Sequence, residues 1–380
     1  MSNPEFLEID TQSVFESYLA SAAKADRYAI DTEFHRERTY YPDLALLQMR
    51  FVLDSKPHAA LIDPKAVDVS ALQPLFTSDS VALVHAPLQD FEVFEHDVGI
   101  LPSRFFDTQI AAGFLGFSTP SLASLVQHFM NVHLSKGDRL SDWTRRPLSP
   151  SQKRYAYSDV EHLETLVDSI SAELDRLGRL PWASSAFEEL VTSRRPPLDP
   201  DDAWRSITEG RNLQEEQKGV LIELAAWRER RARELNIPPR RVYSDIVLVC
   251  LAQRMPQTPE EFDEVRGFTR TRNTNLAPLQ EAIRKGRNRR VPPPLPRQKQ
   301  ADPRAVALVS AFVGDLAHRQ KIDKVLLATR EDLELLLAGI PSRLDSSWRA
   351  EILQDIPARI ASGSLGLAID PDGGFRLVQP

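Results

Sequence analysis

The alternation of apolar and polar positions divides the first half of the chain into strands and helices. Short apolar runs predict four strands, at Tyr28–Phe34, Ala45–Val52, Ala59–Asp63 and Val81–His85. Apolar residues that recur every three or four positions predict helices at Thr11–Lys24, Pro87–Asp97, Thr108–Leu115, Leu122–Phe129 and Pro150–Leu177. Strands come first and helices dominate later, so we expect a layered α/β or α+β domain over residues 1–192.

The rest of the chain shows helical periodicity alone. Within residues 201–290 the predicted helices are Gln214–Glu234, Ser244–Arg254 and one that opens at Thr258. Within residues 303–380 they are Pro303–Arg319, Arg330–Leu337 and Ser346–Ser362. Proline-rich segments at 193–200 and 291–302, the second also basic, have the composition of extended linkers. We therefore predict three domains, and the second and third are expected to be all-helical.

Composition narrows the class of protein. Apolar residues make up 42% and charged residues 27% of the chain, as in ordinary globular proteins. One cysteine, Cys250, excludes an intrachain disulfide and a zinc finger and indicates a reducing cytoplasm. No apolar run approaches the ~20 residues that span a bilayer, and no secretory signal is recognisable. We expect a cytoplasmic protein that needs neither a membrane nor an obligate protein partner.

Charge is distributed unevenly. The net charge is −7, yet residues 266–299 contain ten Lys or Arg and one acid, Glu281. A local basic segment on an acidic protein predicts either a surface that contacts phosphates or a solvated linker.

Two carboxylates follow the first predicted strand. Asp31 and Glu33 are one residue apart, so both point to the same side of the strand. Like charges this close are costly unless a cation lies between them, and Mg²⁺ or Mn²⁺ suits oxygen ligands. The alternative is a strand end with two solvated acids.

Further chemical groups come later in the first domain. Asp90 falls in the first turn of a helix that follows a strand, and Tyr155 and Asp159 lie on one face of the helix that begins near residue 150. That helix has clear end signals, with a capping box at Ser149 and Gln152 and Gly178 after its end. Four carboxylates can hold two divalent cations ~4 Å apart.

These motifs carry a resemblance to a known family. Asp-x-Glu after a strand, an Asp that opens a mid-domain helix, and Tyr-x-x-x-Asp on a late helix resemble the DEDD exonucleases of ribonuclease-H-like fold. The tyrosine marks the DEDDy branch, because the sister branch has His where this chain has Arg154. Further motifs narrow the resemblance to the ribonuclease D family: Asp31–Phe34 with Leu46–Gln48, His85-Ala86 with Asp90, Phe106–Gln109, and Trp143 through Arg146–Leu148 into Tyr155-Ala156.

The resemblance implies a role for each residue of the motif. Asp31, Glu33 and Asp159 would ligate the metal that activates water, with Asp31 bridging to a second metal on which Asp90 acts. Tyr155 would orient the attacking water. The family reaction removes nucleotides one at a time from a 3′ end and releases 5′-monophosphates.

Other residues near the motifs are candidate substrate contacts, namely Phe34, His85, Trp143, Arg145 and Arg146. Stacking on the terminal base is one interpretation for Phe34 and Trp143, and core packing is the other. His85 is either a contact or a hydrogen-bonded structural histidine. Asp107 is either a helix N-cap or a catalytic acid.

The helical regions also carry a resemblance. Residues 201–290 resemble an HRDC domain, on the basis of Trp204, Leu224–Glu229, Pro238–Asp245, Pro256 and Thr258–Gly267. Residues 303–380 resemble a second, more divergent one through Leu326–Leu333 and Trp348–Glu351. We expect Trp204, Trp227 and Trp348 in the cores. The candidates for phosphate contact are the arginines 228, 230, 231, 233, 240 and 241 and the basic cluster at 266–299.

Together these features predict a metal-dependent 3′→5′ exoribonuclease with two Mg²⁺ or Mn²⁺ ions, trimming the 3′ ends of tRNA precursors and other structured RNA. A DNA exonuclease is the main alternative, since polymerase proofreading domains use the same carboxylates. The paired HRDC-like regions favour RNA. A non-catalytic nucleic-acid-binding protein is the other alternative, and the complete set of carboxylates argues against it.

Overall fold

The computed structural model describes residues 6–135, 137, 141–194, 196–269, 275–293, 301–371 and 373–379. The chain forms two compact units. The first comprises Met1–Glu33, Leu44–Ser193 and Pro296–Pro380, and the second comprises Phe34–Asp43 and Arg194–Leu295. In the part of the chain that the structure describes, no helix has both the length and the apolar character needed to cross a membrane.

The first unit is built on a six-stranded mixed sheet. Its strands, in chain order, are β1 (Leu7–Ile9), β2 (Arg27–His35), β3 (Asp43–Leu53), β4 (Lys56–Ile62), β5 (Val81–Val84) and β6 (Phe105–Asp107). Their spatial order is β1-β4-β3-β2-β5-β6. β2, β5 and β6 are parallel, with Ala29 opposite Leu83 and Val84 opposite Asp107. The segments that leave these three strands therefore emerge at the same edge of the sheet.

All four predicted strands are confirmed, as β2 to β5. Two strands were not predicted: β1 pairs in parallel with β4, and β6 pairs in parallel with β5. Each of these strands has three residues, too few to show an alternating pattern.

Between residues 6 and 194, the described part of the first unit contains α1 (Gln12–Ala22), α2 (Gln73–Phe76), α3 (Leu88–Val93), α4 (Thr108–Gly113), α5 (Leu122–Met130), α6 (Pro150–Glu161), α7 (Leu163–Arg176) and α8 (Leu180–Thr192). The prediction of one helix over Pro150–Leu177 is wrong, because the chain breaks at His162 (φ −105°, ψ −6°). α6 packs against β4, whereas α7 packs on α4 and α5. The two helices thus pack against different elements, and the chain bends between them although no proline or glycine marks the position in the sequence. α8 was not predicted.

The last part of the chain folds with the first unit. It contains α14 (Pro303–Gln320), α15 (Lys324–Leu327), α16 (Arg330–Ala338), α17 (Ser347–Leu353), α18 (Ile356–Ala361) and a hairpin of β7 (Gly366–Ile369) and β8 (Phe375–Val378); α9 to α13 belong to the second unit. The expectation of an all-helical region is therefore wrong. The predicted helix Ser346–Ser362 is also divided, because Gln354 adopts φ +50° after α17. Buried side chains of α14, α16 and α17 share one hydrophobic core with those of α4, α5, α7 and α8.

The second unit contains the remaining helices, α9 (Glu215–Leu235), α10 (Pro239–Val242), α11 (Asp245–Arg254), α12 (Pro259–Asp263) and α13 (Ala277–Arg287), preceded by 3₁₀ turns at Pro200–Ser206 and Thr208–Asn212. Its core is its own. α9 and α13 cross at two glycines, since a Cβ on Gly286 would lie 2.3 Å from Val220 Cα and one on Gly219 would lie 2.4 Å from the Gly286 carbonyl. Trp204 and Trp227 pack against this core, as expected.

The segment that follows the Asp31 and Glu33 strand also belongs to the second unit. The Tyr40 hydroxyl bonds to the buried carboxylate of Glu229, and Arg233 Nε donates to the Tyr40 hydroxyl over 3.0 Å. Asn236 Oδ1 accepts the main-chain N–H groups of Tyr40 and Tyr41 over 3.1 and 3.0 Å. Residues 34–43 are thus held by hydrogen bonds to α9 and to Asn236, which follows it.

Candidate active site

Three carboxylates meet at the edge of the sheet. Asp31 and Glu33 come from β2 and Asp159 from α6, and one carboxylate oxygen of each lies within 4.8 Å of the others. All three residues are intermediate in burial. Carboxylate oxygens at these separations fit a single hard divalent cation. The sequence prediction that this pair is completed by an acid on the later helix agrees with this geometry.

Asp90 lies beside this group in the first turn of α3. Its Oδ1 accepts a hydrogen bond from the hydroxyl of Thr32, the residue between the two acids of β2. Burial raises the pKa of Asp90 to about 6, although hydrogen bonds from Thr32 oppose the shift. Asp90 also repels Asp31 and Asp159, which shows that the four carboxylates share one electrostatic environment.

The electrostatics of the site favour a cation. Burial, with the charges of Asp90, Asp159 and Glu33, holds the pKa of Asp31 well above its usual range. Burial and Asp90 raise the pKa of Asp159 to about 7. Such shifts arise when negative charges are gathered without compensation, and a divalent cation would reverse them.

Tyr155 lies one helical turn before Asp159 on α6. The start of this helix is fixed by a capping box, in which Gln152 N–H donates to Ser149 Oγ over 3.2 Å and Ser149 N–H donates to Gln152 Oε1 over 3.0 Å. The Tyr155 ring packs beside Trp143, with ring centroids 5.9 Å apart. The tyrosine is therefore oriented by both its helix and its neighbour.

Two of the expected substrate contacts, Trp143 and Arg146, also have contacts that support the fold. Trp143 is 2% exposed and packs among Ala45, Leu46 and Ala156, so its ring has no open face for a base. Arg146 forms an ion pair with Asp63 at 2.6 Å and donates to main-chain carbonyls, including that of Ala45. Packing was the alternative that the sequence left open for Trp143.

Arg145 and Phe34 remain the accessible members of that set. The Arg145 side chain is 83% exposed and pairs with Asp142 at 3.1 Å. Phe34 is partly exposed and continues β2 directly after Glu33. Their contact with substrate stays a prediction.

His85 and Asp107 support the segment that carries Asp90. His85 Nδ1 lies 2.9 Å from Thr108 Oγ1, and the ring also bonds to the main chain of Pro120. Burial lowers the pKa of His85 to about 4, so the ring is neutral at pH 7 and offers no charge to a phosphate. Asp107 caps α4 by accepting Gln109 N–H over 2.8 Å, and it accepts Ala86 N–H over 3.0 Å. Both side chains thus support the fold around Asp90, the N-cap prediction for Asp107 is confirmed, and contact of His85 with substrate stays a prediction.

The arginines expected to contact phosphates fall into two groups. Arg228 is buried and bonds to Asp245, and Arg233 is engaged by Tyr40 and Glu229, so these two maintain the fold. Arg230 and Arg231 pair on the surface, with Asp201 and Glu234. Arg240 and Arg241 are exposed. In the basic cluster Arg289 pairs with Glu223 and Asp201, and positions 270, 272, 297 and 299 lie outside the described residues.

Sequence reasoning missed the part played by Thr32 and Asp63. Thr32 lies between the two acids of β2 and points to the opposite face of the strand. A polar residue at such a position on a buried strand is a sequence signal for a hydrogen bond inside the domain. Nothing in the spacing links Asp63 to Arg146, which is 83 positions away along the chain.

Comparisons with known proteins agree with this geometry. Residues 6–175 match a family of 3′-5′ exonuclease domains, and residues 217–279 match the HRDC domain. The chain is 32% identical to ribonuclease D of Nitrobacter hamburgensis, over 95% of this chain and 97% of that protein. It is also 32% identical to ribonuclease D of Jannaschia sp., over 95% and 96%. The crystal structure of Escherichia coli RNase D matches with a TM-score of 0.77 and 30% identity, over 94% of this chain and 99% of that one.

The relatives match nearly the whole chain at about 32% identity. The chain also has a ribonuclease-H-like exonuclease domain, an HRDC domain and an acidic cluster at the edge of the sheet. The chain belongs to the ribonuclease D family of 3′→5′ exoribonucleases.

Proposed function

We propose that this protein trims the 3′ ends of tRNA precursors and other structured RNA, with two Mg²⁺ or Mn²⁺ ions, releasing 5′-mononucleotides. The observation that carries the proposal is the group of Asp31, Glu33 and Asp159, whose oxygens lie within 4.8 Å of one another. An acidic, oxygen-only ligand set suits hard divalent cations and not softer metals.

The four carboxylates have distinct parts in this proposal. Asp31, Glu33 and Asp159 would hold one cation, and Asp31 with Asp90 would hold the second. A bound divalent cation supplies positive charge that activates water and stabilises the leaving oxygen of the phosphodiester. The carboxylates must be deprotonated to bind it, so the raised pKa values of Asp90 and Asp159 link cation binding to pH.

Tyr155 orients the attacking water in this proposal. Its helix is shared with Asp159, and its ring is steadied by Trp143. A neutral phenol both donates and accepts a hydrogen bond, so it can aim a water molecule without acting as the base. Arg145 and Phe34 would contact the last nucleotides, through charge and stacking respectively.

Several features support structured RNA as the substrate. The matching E. coli enzyme is described as an exoribonuclease involved in structured RNA processing. The HRDC domain of this chain exposes Arg240 and Arg241. We propose that residues 303–380 are related to a second, divergent HRDC-like domain, with sequence limits at 1–192, 201–290 and 303–380, and that their helices are packed into the core of the first unit. The single cysteine fits work in a reducing cytoplasm.

Digestion of labelled nucleic acids tests this function. RNA and DNA with either a 3′ or a 5′ label would be incubated with the full chain and Mg²⁺, Mn²⁺ or EDTA. We expect single nucleotides released from RNA 3′ ends, and none in EDTA. Asp31→Asn should lower the rate by on the order of 10³-fold or more, since it removes the ligand common to both cations.

Asp79→Asn is the matched control, because Asp79 is fully exposed in the same unit. It should cleave RNA at the normal rate. Cleavage that survives in Asp31→Asn, or a preference for DNA over RNA, would overturn the proposal.

A further inference from the structure

Thr32 occupies an unusual place between the two acids of β2. Successive side chains of a strand point to opposite faces, so Thr32 points away from the oxygens that Asp31 and Glu33 offer to a cation. Its side chain is 6% exposed, and its hydroxyl donates to Asp90 Oδ1. The buried hydroxyl of Thr32 therefore bonds to Asp90, one of the four carboxylates, from the face of β2 opposite to Asp31 and Glu33.

The hydroxyl of Thr32 thus connects the strand of Asp31 and Glu33 to the acid of α3. A hydrogen bond to a charged oxygen is short and directional, and it restricts rotation of the carboxyl group.

Asp90 needs such a restraint more than the other three acids. It lies in the first turn of α3, which follows the backbone of Ala86 at φ +54° and continues as a π-helical turn over Phe94–Val98. Asp107 holds the start of this segment through Ala86 N–H, but it does not hold the carboxyl group of Asp90. Asp90 also lies close enough to Asp31 and Asp159 for the like charges to repel one another.

We propose that Thr32 is a positioning residue, whose hydroxyl aims the Asp90 carboxylate at the second cation of the site. The inference rests on the two-cation function proposed above. Because Thr32 is buried and its hydroxyl is bonded to Asp90, we expect its effect on cation affinity and turnover and not on RNA affinity. Loss of a hydrogen bond that orients a metal ligand costs about 10- to 100-fold in affinity or activity.

Isothermal titration with Mn²⁺ and kinetics on RNA test this role in the full chain. Thr32→Val keeps the shape of the side chain and removes the hydroxyl, and Thr32→Ser restores the hydroxyl. We expect Thr32→Val to weaken binding of one Mn²⁺ by about tenfold, and to lower kcat by about tenfold with KM for RNA unchanged. Thr32→Ser should stay within about threefold of the wild type on both measures.

A control variant separates this role from a general loss of stability. Thr77→Val removes an exposed hydroxyl that donates to Gln73 O in the same unit, and it should leave both measures unchanged. If Thr32→Val does not fold, Thr32→Ala replaces it under the same criteria. Wild-type Mn²⁺ affinity and kcat in the folded variant would overturn the inference, and so would an equal defect in Thr32→Ser.

Failure of the proposed function gives a different result. If the wild type binds Mn²⁺ but does not cleave RNA, the nuclease proposal is wrong, and the titration still decides the role of Thr32. If the wild type binds no Mn²⁺, both proposals are wrong.

Discussion

The two helical regions in the second half of the chain are similar in size and in predicted class, but they differ in how their cores are built. The HRDC domain encloses its own core, with Leu221, Leu248 and Phe262 buried together. Residues 301–371 instead complete a core that begins in the exonuclease domain. Trp348 stacks on Trp182 at 5.3 Å and meets Phe114 edge-on at 5.1 Å.

Buried arginines show the same contrast. Arg349 has a fully buried side chain and bonds to Glu189 of α8 and to the carbonyl of Leu326. Arg179, just before α8, donates in the opposite direction to the carbonyls of Gln320 and Lys321. Arg228 forms its ion pair with Asp245, inside the HRDC domain. Residues 301–371, the last region, are therefore a structural part of the first unit, which holds the active site and is called the catalytic unit below. The HRDC domain has a separate hydrophobic core.

Removal of the last region should have the largest effect. A chain that ends at residue 300 would expose Phe114, Trp182 and other apolar side chains of the shared core. We expect loss of near-ultraviolet circular dichroism and of all nuclease activity, because exposed core surface destabilises the rest of the domain.

The matched control is a chain that ends at residue 373, which lacks only β8 and should keep its activity. A folded, active enzyme ending at residue 300 would show that the shared core is dispensable. Deletion of residues 201–380 to test RNA binding would give an ambiguous result for the same reason.

Replacement of Arg349 should distinguish the two regions by calorimetry. Arg349→Met removes the ion pair with Glu189, which keeps only a longer pair with Arg343 at 3.6 Å, and should destabilise the first unit by about 3 kcal/mol through the loss of charged hydrogen bonds. Arg228→Met should lower the stability of the HRDC domain alone, by about 2 kcal/mol. The check is a scanning calorimetry trace with two transitions, of which each variant shifts one. A shift of the same transition by both variants would contradict the comparison.

The pH dependence of stability should also differ between the two units. Without a cation, burial holds the pKa of Asp90 at about 6 and that of Asp159 at about 7, above the usual value of about 4. The folded state then binds more protons than the unfolded state, so the stability of the catalytic unit falls as pH rises from about 4 to about 7.

Calorimetry in EDTA between pH 5 and pH 8 measures this slope. The catalytic transition should move to lower temperature with rising pH, and Mn²⁺ at pH 8 should raise it again. Asp90→Asn should flatten the slope. A stability that rises with pH over this window in EDTA would show that the four acids do not dominate the titration.

The smallest expected effect concerns RNA affinity. Arg240 and Arg241 are exposed on the HRDC domain, so replacing both with Gln should weaken binding to a tRNA-like RNA by several-fold. The slope of log affinity against log salt should fall by about 0.7 for each phosphate contact that is lost. Arg330→Gln with Arg359→Gln, on the exposed surface of the last region, is the matched control. If both double variants lost the same amount of RNA affinity, the HRDC domain and the last region would not differ in RNA binding.

Local patterns predicted much of this molecule. Strands β2 to β5, the α6 capping box and the Asp107 N-cap follow from residues a few positions apart, and the structure confirms them. The break at His162 and the hairpin β7–β8 were not predictable in this way. They depend on which distant surface each segment packs against.

The sequence by itself determined the chemistry that this protein carries. Asp31 and Glu33 share a strand face, and Tyr155 and Asp159 share a helix face, because backbone periodicity acts over two to four residues. Only the tertiary structure decided which charged and aromatic side chains are free to act. Burial and pairing depend on residues far apart in the chain, and for that reason Arg146 and Arg228 maintain the fold while Arg145 and Arg240 remain exposed.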